Sequence, residues 1–398
     1  MSYRANIYDP IPVSIVEGHG CWVTDDTGTV YLDCLAGYSA VSHGHCHHVI
    51  VKAAIEQMKK LCLISRAFDA PLLHAWEKKM CETFDAKMVL PMNSGAEGVE
   101  TAIKIARKWG MVKGGIEDGK QQIVVCDGNF HGRTTTIISF SPNDNYRSGF
   151  GPLTPGFISI PYGDHNHLYR TLRDNPNVIA FLVEPLQGEG GMNVPPEDYF
   201  AKVRQICNDM EVLLILDEVQ TGLGRTGYLL GEEAYGIKAD LTILGKALGG
   251  GIVPISCVLD RPGGIMDILG PGDHGSTWGG NPLACAVSMV ALDVLKNSNM
   301  ITNSKAMGLY LLDELKRMGL NARGKGLMIG IETPPGTSRS YCLKLKEQGI
   351  LVKDAHGVVR ITPPLIITLA EVQILLAAME RVFKQGGRQW QLPREDPW

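Results

Sequence analysis

Five short apolar runs in this chain each end on residues that can do chemistry. After Met88–Leu90 comes Asn93-Ser94-Gly95-Ala96-Glu97. A small turn opening a helix leaves backbone N–H groups free for an anion, although Ser and Asn there are also ordinary helix caps. After Ile123–Cys126 comes Gly128-Asn129-Phe130-His131-Gly132-Arg133, with one aromatic ring and one guanidinium. Alone it reads as a loop with a buried ring. Glu184 follows Ile179–Val183, and Asp217 with Glu218 follows Val212–Leu216. A carboxylate at the end of a buried strand is unfavourable unless it is paired, so two such ends are harder to dismiss as caps than one. After Leu241–Leu244 comes Gly245-Lys246-Ala247-Leu248-Gly249-Gly250-Gly251. A lysine in so apolar a setting either snorkels or has work to do as a neutral, nucleophilic amine. Together the five ends supply an anion cradle, an aromatic face, two acids and a desolvated lysine. Pyridoxal phosphate (PLP) asks for that set: a Schiff-base lysine, an acid for the pyridinium nitrogen, and donors for the phosphate.

Those runs imply the elements that carry them. Each is continuous rather than alternating, as expected of strands covered on both faces. Helical stretches over Ile50–Leu61, Leu72–Phe84 and Ala96–Trp109 intervene. Strand and helix in turn predict an α/β fold with a mainly parallel central sheet, whose ligands sit beyond the carboxyl ends of the strands. Residues 1–48 alternate short apolar runs with turns and predict antiparallel strands in a segment that packs with the smaller domain. Residues 49–288 read as the large domain, 289–385 as a smaller α+β domain, and 386–398 as an exposed tail.

The chain has 398 residues and a net charge of -4, with 44% hydrophobic and 20% charged residues. The balance is that of a globular protein, and scattered Lys and Arg give no footprint for a nucleic acid. No apolar run approaches the ~20 residues that span a bilayer. With neither a span nor a signal-peptide core, the expected location is cytoplasmic. Ten cysteines without a CxxC pair read as reduced core residues. Gly114–Gln121 nearly matches a phosphate-binding loop but follows a helix and lacks the Ser or Thr for Mg²⁺, so it reads as a surface turn. The cluster His43-Gly44-His45-Cys46-His47-His48 is too crowded to converge on one metal ion, and no metal is expected.

The run Leu216-Asp217-Glu218-Val219-Gln220-Thr221-Gly222-Leu223-Gly224-Arg225-Thr226-Gly227, with Leu244–Gly251, resembles the signature of the class III aminotransferases, fold-type I PLP enzymes. Closer similarity to the ornithine-using branch lies in Gly37–Val41, Ser65–Phe68, Gly128–Arg133, Gly275–Pro282 and Arg360–Pro364. The resemblance implies that Lys246 holds PLP and shuttles the substrate proton, and that Asp217 pairs with the ring nitrogen. It implies Phe130 and Val219 on the two ring faces, Gln220 on the phenolic oxygen, and Gly95 and Ala96 on the phosphate. Thr277 would reach the phosphate from the other subunit of a homodimer. Tyr8, Tyr38 and Arg133 would recognise ornithine, and Arg360 the α-carboxylate of 2-oxoglutarate. Glu189 would cover Arg360 while ornithine is bound. The implied reaction moves ornithine's δ-amine to a 2-oxo acid. Other ω-amines (acetylornithine, 4-aminobutyrate, lysine or a diamine), or racemisation on the same fold, are the alternatives. The chain departs from the family at His48, commonly proline, and at Ser42-His43, more usually Asn-Gln.

Overall fold

The computed structural model describes Tyr3, residues 5–261 and residues 263–384. The tail expected from residue 386 lies outside the described residues.

The central sheet has seven strands, in the order Met88–Met92, Ser256–Asp260, Leu241–Leu244, Leu213–Asp217, Val178–Val183, Gln122–Cys126, Phe157–Ile160. Every residue of Val178–Val183, Leu213–Asp217 and Leu241–Leu244 is buried, which is why those runs do not alternate in the sequence. Their side chains still alternate between two cores. Ile123 and Val125 join Val99, Ile103 and Ala106 of helix Gly95–Val112 on one face. Val124 and Cys126 join Leu168, Leu172, Phe200 and Val203 on the other. The period of two is thus present but masked, because both faces are apolar.

Two strands escape the sequence pattern. Phe157–Ile160 is an edge strand, parallel to Gln122–Cys126. Ser256–Asp260 sits inside the sheet, antiparallel to both Leu241–Leu244 and Met88–Met92. The reason is its connection. Between residues 244 and 256 there is only the short turn of helix Lys246–Gly249. A parallel pairing needs a crossover of a dozen or more residues, whereas an antiparallel one does not. Antiparallel to both neighbours, this strand leaves Met88–Met92 running with the other five, so the five chemistry-bearing ends lie at one edge of the sheet.

Near the N-terminus, Ile15–His19, Trp22–Asp25 and Val30–Asp33 form an antiparallel sheet. Val30–Asp33 takes Ile350–Leu351 as a parallel partner. A third sheet runs Ala322–Lys325, Met328–Glu332, Val358–Ile361, Lys353–Ala355, all antiparallel. Helices Met300–Arg317, Ser338–Glu347 and Leu369–Lys384 accompany it. Helix Pro282–Asn297 runs through the expected boundary at 288/289, so no linker separates two domains there. One apolar core joins Leu32, Trp76, Leu244, Leu292, Ile329 and Val372. Among the described residues no helix is long and apolar enough to cross a membrane.

Candidate active site

Lys246 begins the turn after Leu241–Leu244 with a backbone φ of +44°. Left-handed backbone is unfavourable for a residue with a Cβ, by roughly 1–2 kcal/mol. The side chain enters a cavity of about 180 Å³ lined with Gly95, Ala96, Phe130, His131, Glu184, Asp217, Val219 and Gln220, among others. Desolvation lowers the Lys246 pKa, against the opposing pull of Asp217, Glu189 and Glu184. That favours a neutral amine at the cavity wall.

Asp217, the last residue of its strand, is buried. One carboxylate oxygen accepts from the Val219 amide at 3.0 Å and the other lies 2.7 Å from His131 Nδ1. Burial alone would lower the His131 pKa, but the Asp217 bond and the charges of Asp217 and Glu184 outweigh it and raise the pKa. A histidine that readily carries a proton is thus locked against the acid. Glu184 Oε1 accepts the Phe130 amide at 2.9 Å. Desolvation, partly opposed by His131, pushes the Glu184 pKa up to about 7.

At another wall, helix Gly95–Val112 begins with a capping box: Ser94 Oγ accepts the Glu97 amide, and Glu97 Oε2 accepts the Ser94 amide at 2.9 Å. The first-turn amides of Gly95 and Ala96 have no acceptor among the described residues. Gly95 has no room for a side chain, since a Cβ there would stand 2.9 Å from Val219 Cγ1. Free helix-start amides, a buried acid and a desolvated lysine around one slot between Phe130 and Val219 fit the phosphate, ring nitrogen and aldehyde of PLP.

The other residues singled out in the sequence are placed as follows. Arg360 is buried on strand Val358–Ile361 and its guanidinium is ion-paired with Glu189. Tyr38 stacks on that guanidinium, with Cζ 5.1 Å from the ring centroid. Tyr38 stands in a left-handed run, with positive φ at Ala36, Gly37, Tyr38 and Ser39. Asp33 Oδ1 anchors the start of the run by accepting the Leu35 and Ala36 amides. Gln220 Nε2 donates to Ser39 Oγ at 3.4 Å. Arg133 is exposed; it lies 4.1 Å over the Tyr146 ring and donates to its hydroxyl. Tyr8 is exposed and Thr277 borders a different cavity with Arg66 and Phe68, so neither lines the Lys246 slot in this chain.

Three site residues went unassigned in the sequence. His131 lies in the run Gly128–Arg133, but its pairing with Asp217 follows only from the sheet order, which sets their strands on either side of Val178–Val183. Glu184 reads in the sequence as a strand-end acid without a role. Tyr146, on the short helix Asp144–Arg147, carries no signal in the sequence. The histidine cluster is dispersed: His43 Nε2 bonds the Ala291 carbonyl oxygen, His45 pairs with Asp33, and His47 stacks on His48.

This geometry is that of a PLP-handling site. Residues 3–383 match the family described as Aminotransferase class-III, and the chain belongs to it. Its cofactor is PLP. The ornithine aminotransferase of Bordetella pertussis is 46% identical over 385 residues, covering 95% of this chain and 93% of that protein. A structure of the ornithine aminotransferase from Toxoplasma gondii, with partial occupancy of PLP at its active site, superposes with a TM-score of 0.94 at 42% identity, covering 96% of this chain and 92% of that one. The acetylornithine aminotransferase from Elizabethkingia anophelis superposes at 0.88 with 44% identity, covering 96% of each chain.

Proposed function

We propose that this chain is an L-ornithine:2-oxo-acid δ-aminotransferase, yielding glutamate 5-semialdehyde from ornithine and glutamate from 2-oxoglutarate. The observation that carries this reading is the Glu189–Arg360 pair stacked against Tyr38 beside the Lys246 slot. An uncovered Arg360 would take the α-carboxylate of ornithine and present the wrong amine, whereas a paired carboxylate masks it. The ornithine aminotransferases among its relatives support the same substrate.

PLP, when bound, supplies an electron sink for the charge left on carbon as its proton departs. Lys246 would hold the cofactor, and its Nζ would take the proton from the carbon bearing the δ-amine and hand it on. Asp217, backed by His131, would keep the ring nitrogen protonated. Gly95 and Ala96 would donate to the phosphate, Gln220 to the phenolic oxygen, and Phe130 and Val219 would cover the ring. Arg133, with Tyr8 and Tyr38, would hold ornithine by its α-carboxylate. Glu189 would swing away when the oxo acid arrives at Arg360.

A homodimer would bring Thr277 to the phosphate of the other subunit. Its support is that Thr277 and the apolar Phe68 and Trp278 are exposed away from the slot of their own chain. A monomeric mass for the active enzyme in solution would refute it.

Titrating the holoenzyme with ornithine should bleach its visible cofactor band and release pyrroline-5-carboxylate, read with o-aminobenzaldehyde. Lys246→Ala should bind cofactor only non-covalently and turn over at least about a hundredfold more slowly. The acetylornithine aminotransferase among its structural neighbours gives the competing reading. Equal or better turnover of acetylornithine would replace ornithine as the substrate.

A further inference from the structure

Arg225 lies on the loop that follows Asp217, Val219 and Gln220, and is 0% exposed. Among the described residues its guanidinium pairs with no carboxylate. Nη1 donates to the carbonyl oxygens of Leu327 at 2.9 Å and Pro363 at 2.6 Å, and Nη2 to Ser42 Oγ at 3.0 Å. Its own carbonyl accepts the Leu327 amide and the Ser304 hydroxyl, each at 3.0 Å. Desolvation lowers its pKa to about 9, with the charge of Asp33 pulling the other way. Replacing a buried ion by a well-packed apolar side chain is often neutral or stabilising. Filling space therefore does not explain why an arginine stands here.

Its three acceptors explain it. Pro363 ends the segment that carries Arg360. Ser42 lies three residues past the left-handed turn that carries Tyr38, and its hydroxyl passes a hydrogen bond back to the Ser39 carbonyl at 3.0 Å. The two segments are also joined directly: the Thr362 amide donates to the Cys34 carbonyl at 2.8 Å, and the Leu365 amide to the Ser42 carbonyl at 2.8 Å. Only a forked, multidentate donor reaches both segments and Leu327 from one point.

We infer that Arg225 is a positioning residue that sets the Tyr38–Arg360 pair in register with the cofactor loop, and so governs affinity for the dicarboxylate substrate. This rests on the proposed role of Arg360 as the oxo-acid anchor. Arg225 is not among the residues that line the Lys246 slot. It acts through Ser42 on the Tyr38 turn and through Pro363 on the Arg360 strand, while Gln220 ties the same loop to Ser39.

The test uses the holoenzyme and glutarate, an unreactive dicarboxylate, with binding measured by calorimetry beside steady-state kinetics in 2-oxoglutarate. For Arg225→Lys, the glutarate Kd and the oxo-acid KM should both rise about tenfold, the effect of losing a charge-assisted hydrogen bond. Bound cofactor should stay stoichiometric, and kcat should stay within about threefold of wild type. Ser42→Ala, which removes the bond from Arg225 Nη2 and the onward bond to the Ser39 carbonyl, should shift both constants the same way by about threefold. If Arg225→Lys does not fold, Ser42→Ala decides. Unchanged glutarate affinity in the folded variants overturns the inference. So does a joint fall of kcat, cofactor content and thermal stability with no separate effect on KM, which marks a merely structural arginine. Wild-type enzyme that uses ornithine but binds no glutarate overturns the oxo-acid role of Arg360 and this inference together.

Discussion

Arg360 is a cation that two neighbours compete to occupy. Glu189 pairs with it and Tyr38 covers its face, while its Nε has no acceptor among the described residues. A buried guanidinium with spare donors suits the proposed exchange of one carboxylate for another, because bonds lost to Glu189 would be replaced in kind by those of an oxo acid. Glu189→Ala removes the competitor. The expected result is that ornithine also binds by its α-carboxylate at Arg360, so the share of α-amine transfer rises by about tenfold. Chromatography of the products from ornithine measures it, and an unchanged product ratio would count against the gate. Lys246 and Asp217 work differently. Desolvation alters the ordinary solution behaviour of Lys246, whereas Asp217 is held in place by its bond to His131.

At the scale of elements, the site depends on how closely segments can approach. Helix Gly95–Val112 offers its first-turn amides because the capping box has already satisfied the Glu97 and Ser94 amides with side chains. Across the molecule, helix Met300–Arg317 packs on the turn between Ala322–Lys325 and Met328–Glu332 through Gly308. A Cβ at Gly308 would stand 2.1 Å from the Gly326 carbonyl oxygen, and neither backbone can yield easily. That turn also bears Leu327, whose carbonyl receives Arg225. Gly308→Ala should therefore destabilise the protein by about 2 kcal/mol or more, as overpacking of backbone does. Urea denaturation checks it, and a change below about 0.5 kcal/mol would mean that the helix shifts freely.

On the scale of the whole molecule, buried acids make stability depend on pH. Glu218 accepts the amides of Gly231 and Glu232 and the Thr221 hydroxyl. Desolvation, reinforced by the charge of Glu232, nevertheless pushes its pKa from 4.5 up to about 7. A raised acid pKa means that the folded protein keeps a proton which the unfolded chain has already lost. Stability from this group is therefore full below pH 4.5, falls as pH rises towards 7, and is level above that. Glu218→Gln should remove its share of that slope, on the order of a few kcal/mol. Denaturation of the holoenzyme at several pH values across the window measures it. A variant with the wild-type slope would show that Glu218 is already ionised in the acid range.

Much of this protein was legible in its residues before any fold was known. The five apolar runs, the residues that follow them and the parallel sheet are local facts, since burial on both faces leaves a continuous apolar signature. Lys246 and Asp217 stood out because charge at the end of such a run is unfavourable without a partner or a task. Tertiary structure decided what depends on neighbours. Ser256–Asp260 looks like any other buried strand, and only its short connection makes it antiparallel. His131 meets Asp217, and Arg360 meets Glu189 and Tyr38, across chain separations that no spacing rule connects. Helix Pro282–Asn297 crosses the expected domain boundary because one apolar core serves both sides. The sequence alone thus determined which groups are available and at which edge of the sheet they lie. The fold determined which of them touch, because hydrogen bonds and ion pairs act over a few ångströms and only packing sets those distances.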